Sequence, residues 1–132
     1  MTDKNKDPEL ELKLGGGAAL PSRAEIPAQY KWHLYDIYKD EKAWEQDFEA
    51  TEKRLPEVAR YAGRLGESAA TLLECFKLRD ELEITIGKLL VCAHMKSHED
   101  TADSKQQRPA SRATTLSVQF SSACSFITPE IL

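Results

Sequence analysis

The stretch SAATLLECFKLRDELEITIGKLLVCAHMKS, residues 68–97, is the longest periodic segment of the chain and decides its fold. Its apolar residues recur at helical spacing along one stripe. The stripe consists of Leu72, Phe76, Leu82, Ile86, Leu89 and Ala93, with Leu73 and Leu90 widening it. Because the interval from Phe76 to Leu82 is out of step, the pattern fits either one helix or two helices with a break near 78–81. Gly87 weakens helix preference locally and can let another helix approach closely.

An earlier helix is predicted to begin after Asp40. Asp40 is a suitable N-cap, and Glu41 lies in the first turn, where the helix dipole favours an acid. Spacings of four, three and four residues then define one helical face, formed by Trp44, Phe48, Thr51 and Leu55. Pro56 ends or kinks this helix, with a further turn through PEVARY, residues 56–61. Ser68 can cap the helix that follows.

The carboxyl-terminal segment is predicted to be a third helix after a turn at HEDTADS, residues 98–104. Helical spacing links Ala113, Leu116, Phe120, Cys124 and Ile127. Alternation at residues 116, 118 and 120 would suit a strand, but no partner strand or hairpin signal accompanies it. Pro109 falls in the first turns of this helix, and Thr128-Pro129 is expected to end it. The predicted fold class is all-α, an antiparallel helical bundle-like lobe.

The aromatic stretch YKWHLYDIY, residues 30–38, precedes these helices. We interpret it as an extended arm whose rings pin it to the helical body, which predicts that Trp32 and Trp44 are substantially buried. A ligand-binding patch formed by Trp32, Tyr35, Tyr38 and Trp44 is the alternative. Packing is the preferred interpretation, because each ring buries a large apolar area.

Composition defines the domain organisation and excludes several partners. Residues 1–20 are charged, contain Gly15-Gly16-Gly17 and are predicted to be a flexible tail, which leaves 21–132 as one helical lobe. A net charge of −4 and a pI near 5.4 offer no basic surface for nucleic acid. No apolar run approaches the roughly 18 residues of a membrane span, and the amino terminus lacks the apolar core of a secretion signal.

Three cysteines, Cys75, Cys92 and Cys124, form an odd set without C-x-x-C spacing. This pattern argues against a disulfide scaffold. Their apolar neighbours predict buried, reduced and inert thiols, and the expected compartment is the cytoplasm.

The heptapeptide HMKSHED, residues 94–100, places His94 and His98 on one helical face. A zinc site needs three or four ligands, and the acids Glu99 and Asp100 lie at the helix end. The zinc-peptidase motif H-E-x-x-H also requires a glutamate after the first histidine, whereas Met95 occupies that position and cannot act as a base. We therefore predict no catalytic, cofactor-binding or metal-binding residue in this chain.

Several stretches together resemble the amino-terminal part of oligoendopeptidase F. They are LPSRAEIPAQYKWHLYDIYKDEKAWEQDF, RYAGRLGESAATLLECFKLRDELE, HEDT and SFITPEIL. The markers within them are Trp32, Leu34, Asp36, Trp44, the Gly63-x-Leu65-Gly66 loop, Leu78-Arg79-Asp80 and Pro129-Glu130-Ile131-Leu132. The resemblance covers roughly residues 20–132. It implies a cytosolic zinc metallopeptidase, related to thimet oligopeptidase, that cleaves internal bonds of short peptides.

The resemblance also implies what this chain lacks. Family members are several times longer, and their H-E-x-x-H helix and zinc lie in a catalytic domain far beyond position 132. We therefore expect a truncated amino-terminal lobe that walls a narrow peptide cleft, is partnered by the catalytic lobe and is inactive alone. Such a lobe is expected to expose apolar contacts contributed by Leu116, Phe120, Phe126, Ile127, Leu89 and Leu90.

Two alternatives remain at this level. One is a free-standing helical interaction module, which an exposed stripe at Leu82, Ile86 and Leu89 would support. The other is a small metal-binding protein that uses His94 and His98.

Overall fold

A computed structural model describes residues 21–132; the predicted tail at 1–20 lies outside the described residues. The described part is all-α and contains no strand, so the predicted fold class is confirmed. Its α-helices are α1 (Glu41–Arg54), α2 (Ala69–Glu99), α3 (Ser104–Ala123) and the short α4 (Ile127–Ile131). Turns of 3-10 helix occur at Arg23–Glu25, Ala28–Tyr30, Leu34–Asp36 and Leu55–Tyr61. The most extensive packing joins α2 to α3, which the short turn at 100–103 makes antiparallel neighbours.

Helix α1 begins and ends as the sequence predicts. The Asp40 carboxylate accepts a hydrogen bond of 2.7 Å from the Ala43 backbone N–H, and this satisfies a donor that has no partner within the helix. The predicted face is buried throughout, at Trp44, Phe48, Thr51 and Leu55. After Arg54 the chain continues as the 3-10 helix Leu55–Tyr61, with Pro56 in its first turn.

Helix α2 is one continuous helix of 31 residues, so the alternative with a break near 78–81 does not occur. Its start is capped by Ser68, whose hydroxyl accepts from the Thr71 N–H at 3.1 Å. The apparent irregularity has a simple cause. Cys75, rather than Phe76, is fully buried, and the partly buried Leu78 packs against the core between Cys75 and Leu82. Counted through these residues, the buried face stays in step.

Helix α3 forms where the sequence predicts but ends earlier. Pro109 lies inside it without interrupting it, whereas the helix ends at Ala123 rather than at Thr128-Pro129. Pro129 instead occupies the first turn of α4. Proline is tolerated there because the backbone N–H groups of a first helical turn have no intrahelical acceptor.

Two apolar clusters hold residues 32–132 together. The larger one joins α1, α2 and α3 through buried residues that include Trp44, Leu82, Leu89, Ala113 and Leu116. The smaller one contains Leu65, Cys75 and Ile127, with Tyr61, Leu72, Phe76, Cys124 and Phe126 against it. This second cluster joins the loop before α2 to the carboxyl-terminal end of the described chain.

The aromatic stretch differs from the prediction in its side chains. It consists of short 3-10 turns joined by extended residues such as Lys31. Trp44 is 6% exposed, as predicted, but Trp32 is 52% exposed, so its predicted burial is wrong. In the Leu34–Asp36 turn the buried residue is Leu34, since a single short turn directs only one of its side chains into the core.

Candidate functional site

The histidine pair is the first candidate, and one of its two members is hydrogen-bonded between two helices. His94 Nε2 lies 2.9 Å from Thr114 Oγ1, across the α2–α3 interface. The single Thr114 hydroxyl hydrogen is donated to the Ala110 carbonyl at 3.0 Å. Thr114 must therefore accept from His94, which places the imidazole hydrogen on Nε2. While this hydrogen bond holds, Nε2 has no lone pair for a metal.

The surroundings of His98 supply no third ligand for the pair within residues 21–132. The His98 ring lies edge-on to His94 at a centroid distance of 6.0 Å, in a polar groove shared with Ser97, Gln107 and Ser111. The Asp100 carboxylate accepts from the Ala102 N–H at 3.0 Å and so takes part in the interhelical turn. Within residues 21–132, no three His, Cys, Asp or Glu side chains converge as a metal site requires. These residues do not fit a zinc ion.

The cysteines are unsuited to nucleophilic chemistry. Cys75 and Cys92 are fully buried, as the sequence predicts, and Cys124 is partly buried. Burial raises the pKa of each of the three thiols above its ordinary value. Since the thiolate is the reactive form, the thiols behave as apolar packing groups.

A cavity of about 200 Å³ lies between α1, α2 and α3. Its lining residues are Glu41, Trp44, Glu45, Cys92, Ala93, Lys96, Lys105, Gln106 and Pro109. Pockets that bind small molecules usually measure about 300–1,000 Å³. This cavity is smaller, and its charged residues have both signs.

The four rings considered as a ligand patch do not form one. Trp44 stacks on Phe48 at a centroid distance of 5.2 Å, and its indole N–H donates to the Leu89 carbonyl at 3.0 Å. It is a packing anchor, as preferred from the sequence. Tyr38 is partly buried and donates its hydroxyl hydrogen to Asp47 at 2.6 Å, whereas Trp32 and Tyr35 are exposed.

Two of the markers that suggested a family meet in space. Gly63 has a φ of 77°, a conformation that favours glycine, and its N–H donates to the Glu130 carboxylate at 2.6 Å. Beside this contact, Leu65 and Ile127 share the smaller apolar cluster. The Gly63–Gly66 loop and the PEIL segment therefore form one structural unit. Sequence reasoning missed this link, although both segments were among the markers.

The residues predicted to form an exposed apolar contact surface are buried or partly buried. Leu89, Leu116, Phe120 and Ile127 are buried, and Leu90 and Phe126 are partly buried. The chain's own helices cover them, so that prediction is wrong. Leu82 and Ile86 are likewise buried, which removes the support for a free-standing interaction module. The exposed aliphatic side chains on α2 are Leu73, Ile84 and Val91.

In the described part of the chain, no helix combines the length and the apolar character needed to cross a membrane.

Comparison with known proteins identifies a group of peptidases. The chain is 36% identical over 113 residues to Oligopeptidase PepF of Bacillus subtilis (strain 168), covering 86% of this chain and 17% of that protein. It is 37% identical over 112 residues to the chromosomal Oligoendopeptidase F of Lactococcus lactis subsp. cremoris, covering 84% and 19%. Group B oligopeptidase PepB of Streptococcus agalactiae serotype III (strain NEM316) is 30% identical over 111 residues, with coverages of 84% and 18%.

These relatives confirm the resemblance to oligoendopeptidase F. The chain spans less than a fifth of the length of the curated relatives it matches, a share consistent with one amino-terminal region of such proteins. No family model matches the chain. No solved structure matches it either.

Proposed function

We propose that this chain forms the amino-terminal helical lobe of an oligoendopeptidase F-type enzyme that hydrolyses internal bonds of short peptides. The observation that carries the proposal is the identity of 30–37% with peptidases over 84–86% of this chain. These matches cover 84–86% of this chain, while the chain spans only 17–19% of each relative. The remainder of such an enzyme would supply the catalytic groups.

In this proposal the lobe contributes architecture rather than chemistry. The described residues bring together no zinc ligand set, His94 is hydrogen-bonded across the α2–α3 interface, and burial raises the thiol pKa values. We assign the zinc ion and the H-E-x-x-H helix to the catalytic lobe, as the family resemblance implies. The lobe would form part of the wall of a cleft that admits flexible oligopeptides.

We also propose a cytoplasmic location. The family resemblance implies it, and three free cysteines suit a reducing compartment.

A segment exchange tests the proposal. In full-length PepF of Bacillus subtilis, the matched segment is replaced by this chain, and cleavage of a quenched-fluorescence oligopeptide is measured. We expect the chimera to cleave the peptide and a version without the segment to be inactive. The isolated chain should show no turnover, with or without added zinc.

Two results would contradict the proposal. One is an inactive or unfolded chimera beside an active parent enzyme. The other is chelator-sensitive turnover that copurifies with the intact 14.9 kDa chain, because the chain would then carry its own catalytic site.

A further inference from the structure

The outward face of α2 carries an apolar strip that no other residue among 21–132 covers. Ile84, Gly87 and Val91 follow one another at spacings of three and four residues, so they lie on one side of the helix. Ile84 is 61% exposed and Val91 is 49% exposed. The residues that pack against the other helices, such as Leu82, Ile86 and Leu89, lie on the opposite side. We call the exposed strip the outer α2 face.

Gly87 is the unexplained member of this face. A glycine in the middle of a helix destabilises it relative to alanine, because the unfolded chain has more backbone freedom to lose. A Cβ atom added at Gly87 would meet nothing within 4 Å. No close approach by another described residue therefore requires a glycine there. A glycine between two exposed aliphatic side chains allows a second helix to approach closely.

We propose that the outer α2 face packs against an apolar helix from the part of the oligoendopeptidase F-type polypeptide that lies outside this chain. This inference rests on the proposed function. The relatives are proteins of which this chain matches only 17–19%. More than four fifths of such an enzyme then lies outside this chain, and some part of it must pack against this lobe. Of the three exposed aliphatic side chains on α2, two lie on the outer face and are available for that contact.

The size and charge of the face favour a contact within one polypeptide. Two aliphatic side chains and a glycine cover far less than the roughly 800 Å² per partner that a stable complex between separate molecules buries. Glu83 lies along one edge of the face and Lys88 along the other. A helix with a basic residue toward Glu83 and an acidic residue toward Lys88 would be held in one register.

Cysteine labelling tests the contact directly. Ile84→Cys is made both in the isolated chain and in the PepF chimera, and its rate of reaction with a maleimide is measured. The matched control is Val118→Cys, at a residue that is 64% exposed on α3. The unsubstituted proteins give the background from the three native cysteines. We expect Ile84→Cys to react at least about tenfold more slowly in the chimera than in the isolated chain, and Val118→Cys to react similarly in both.

Gly87→Leu provides a second test, because it should change the melting temperature in opposite directions in the isolated chain and in the chimera. In the isolated chain it should raise the melting temperature by roughly 2–4 °C, because leucine favours the helix and its Cβ enters open space. In the chimera the same side chain would hold the partner helix away, so the melting temperature should fall.

The outcomes separate this inference from the proposed function. An active chimera in which Ile84→Cys reacts as fast as in the isolated chain overturns the inference and leaves the proposed function standing. Slow labelling already in the isolated chain at high concentration would show that a second copy covers the face, and would also overturn it. An inactive or unfolded chimera overturns the proposed function and the inference with it.

Discussion

The two tryptophans lie twelve positions apart in the sequence but in opposite environments. Trp44 is 6% exposed, stacks on Phe48 and donates its indole hydrogen to the Leu89 carbonyl. Trp32 is 52% exposed. Both are among the markers on which the resemblance to oligoendopeptidase F was based, so residue type and family resemblance do not distinguish them.

The difference follows from the backbone that carries each ring. Trp44 lies on a capped helix of 14 residues, where Phe48, Thr51 and Leu55 repeat its direction and commit the whole face to the core. Trp32 precedes a 3-10 turn of three residues whose buried side chain is Leu34. A regular helix gives several side chains a common direction, whereas a short turn fixes few of them. An aromatic residue therefore predicts burial only where it lies on a regular helix whose neighbouring apolar residues point in the same direction.

The largest expected effect tests the buried member of the comparison. Trp44→Ala should lower the free energy of unfolding by about 3–5 kcal/mol, because it leaves a cavity and removes the indole hydrogen bond. Trp32→Ala, measured by the same chemical denaturation, should cost less than about 0.5 kcal/mol, as for most exposed positions. Equal losses for the two variants would show that Trp32 is buried after all.

The next largest effect on stability identifies the side chain that attaches the Leu34–Asp36 turn to the core. Leu34 is 6% exposed, whereas Tyr35 is 67% exposed. We expect Leu34→Ala to cost about 2–3 kcal/mol through lost apolar burial, and Tyr35→Ala to be near neutral. Thermal melting of both variants measures the difference. A larger loss from Tyr35→Ala would restore the interpretation that the rings, rather than the leucine, attach this segment.

A smaller effect is expected from the polar contact between this segment and α1. The Tyr38 hydroxyl donates to Asp47 at 2.6 Å, and burial together with this carboxylate raises the pKa of Tyr38. Tyr38→Phe should cost about 1–1.5 kcal/mol, since one hydrogen bond to an acidic group is lost while the ring remains. Tyr35→Phe is the matched control and should be neutral. A neutral Tyr38→Phe would mean that water replaces the lost contact without cost.

A structural feature could be predicted from the sequence when the contact that determines it joins residues close together in the chain. The Asp40 cap, the face of α1 and the Ser68 cap are contained within a few residues, and all three are confirmed. The bond between Gly63 and Glu130 joins residues 67 positions apart, and no local pattern indicates it. The expected exposure of Leu89 and Leu116 was wrong for the same reason. An apolar stripe shows that a face is buried, but not whether the chain itself or another segment buries it.

The candidate site shows the same division. Helical spacing correctly brought His94 and His98 to one side of α2. His94 donates its hydrogen bond to Thr114, which lies on another helix, so the heptapeptide alone could not indicate it. The same holds for Cys75 in the core. The sequence pattern favoured Phe76 as the buried residue, and only the packing of the surrounding helices shows that Cys75 is fully buried instead.

The smallest expected effect concerns the polar cover of Trp44 and depends on pH. Arg112 forms a two-pronged ion pair with Glu45, at 2.7 and 2.6 Å, while its guanidinium lies 4.2 Å from the Phe48 ring centroid and 5.7 Å from that of Trp44. The hydrogen bonds from Arg112 lower the pKa of Glu45 below its ordinary value of 4.5. The folded protein therefore binds the proton less readily than the unfolded chain does. The stabilisation from this pair is complete above the ordinary pKa and is lost as the pH falls through the lowered one.

Because both side chains are more than a third exposed, at 34% and 42%, screening limits the contribution to about 0.5–1 kcal/mol. Near neutral pH, Glu45→Gln should be less stable than the wild type by that amount. The two proteins should approach equal stability as the pH falls through the lowered pKa of Glu45, because the wild-type carboxylate is then protonated. Urea titrations over this pH range measure the difference, with Glu74→Gln as an exposed control on α2. A pH-independent loss would mean that Glu45 acts through packing around Trp44 rather than through its charge.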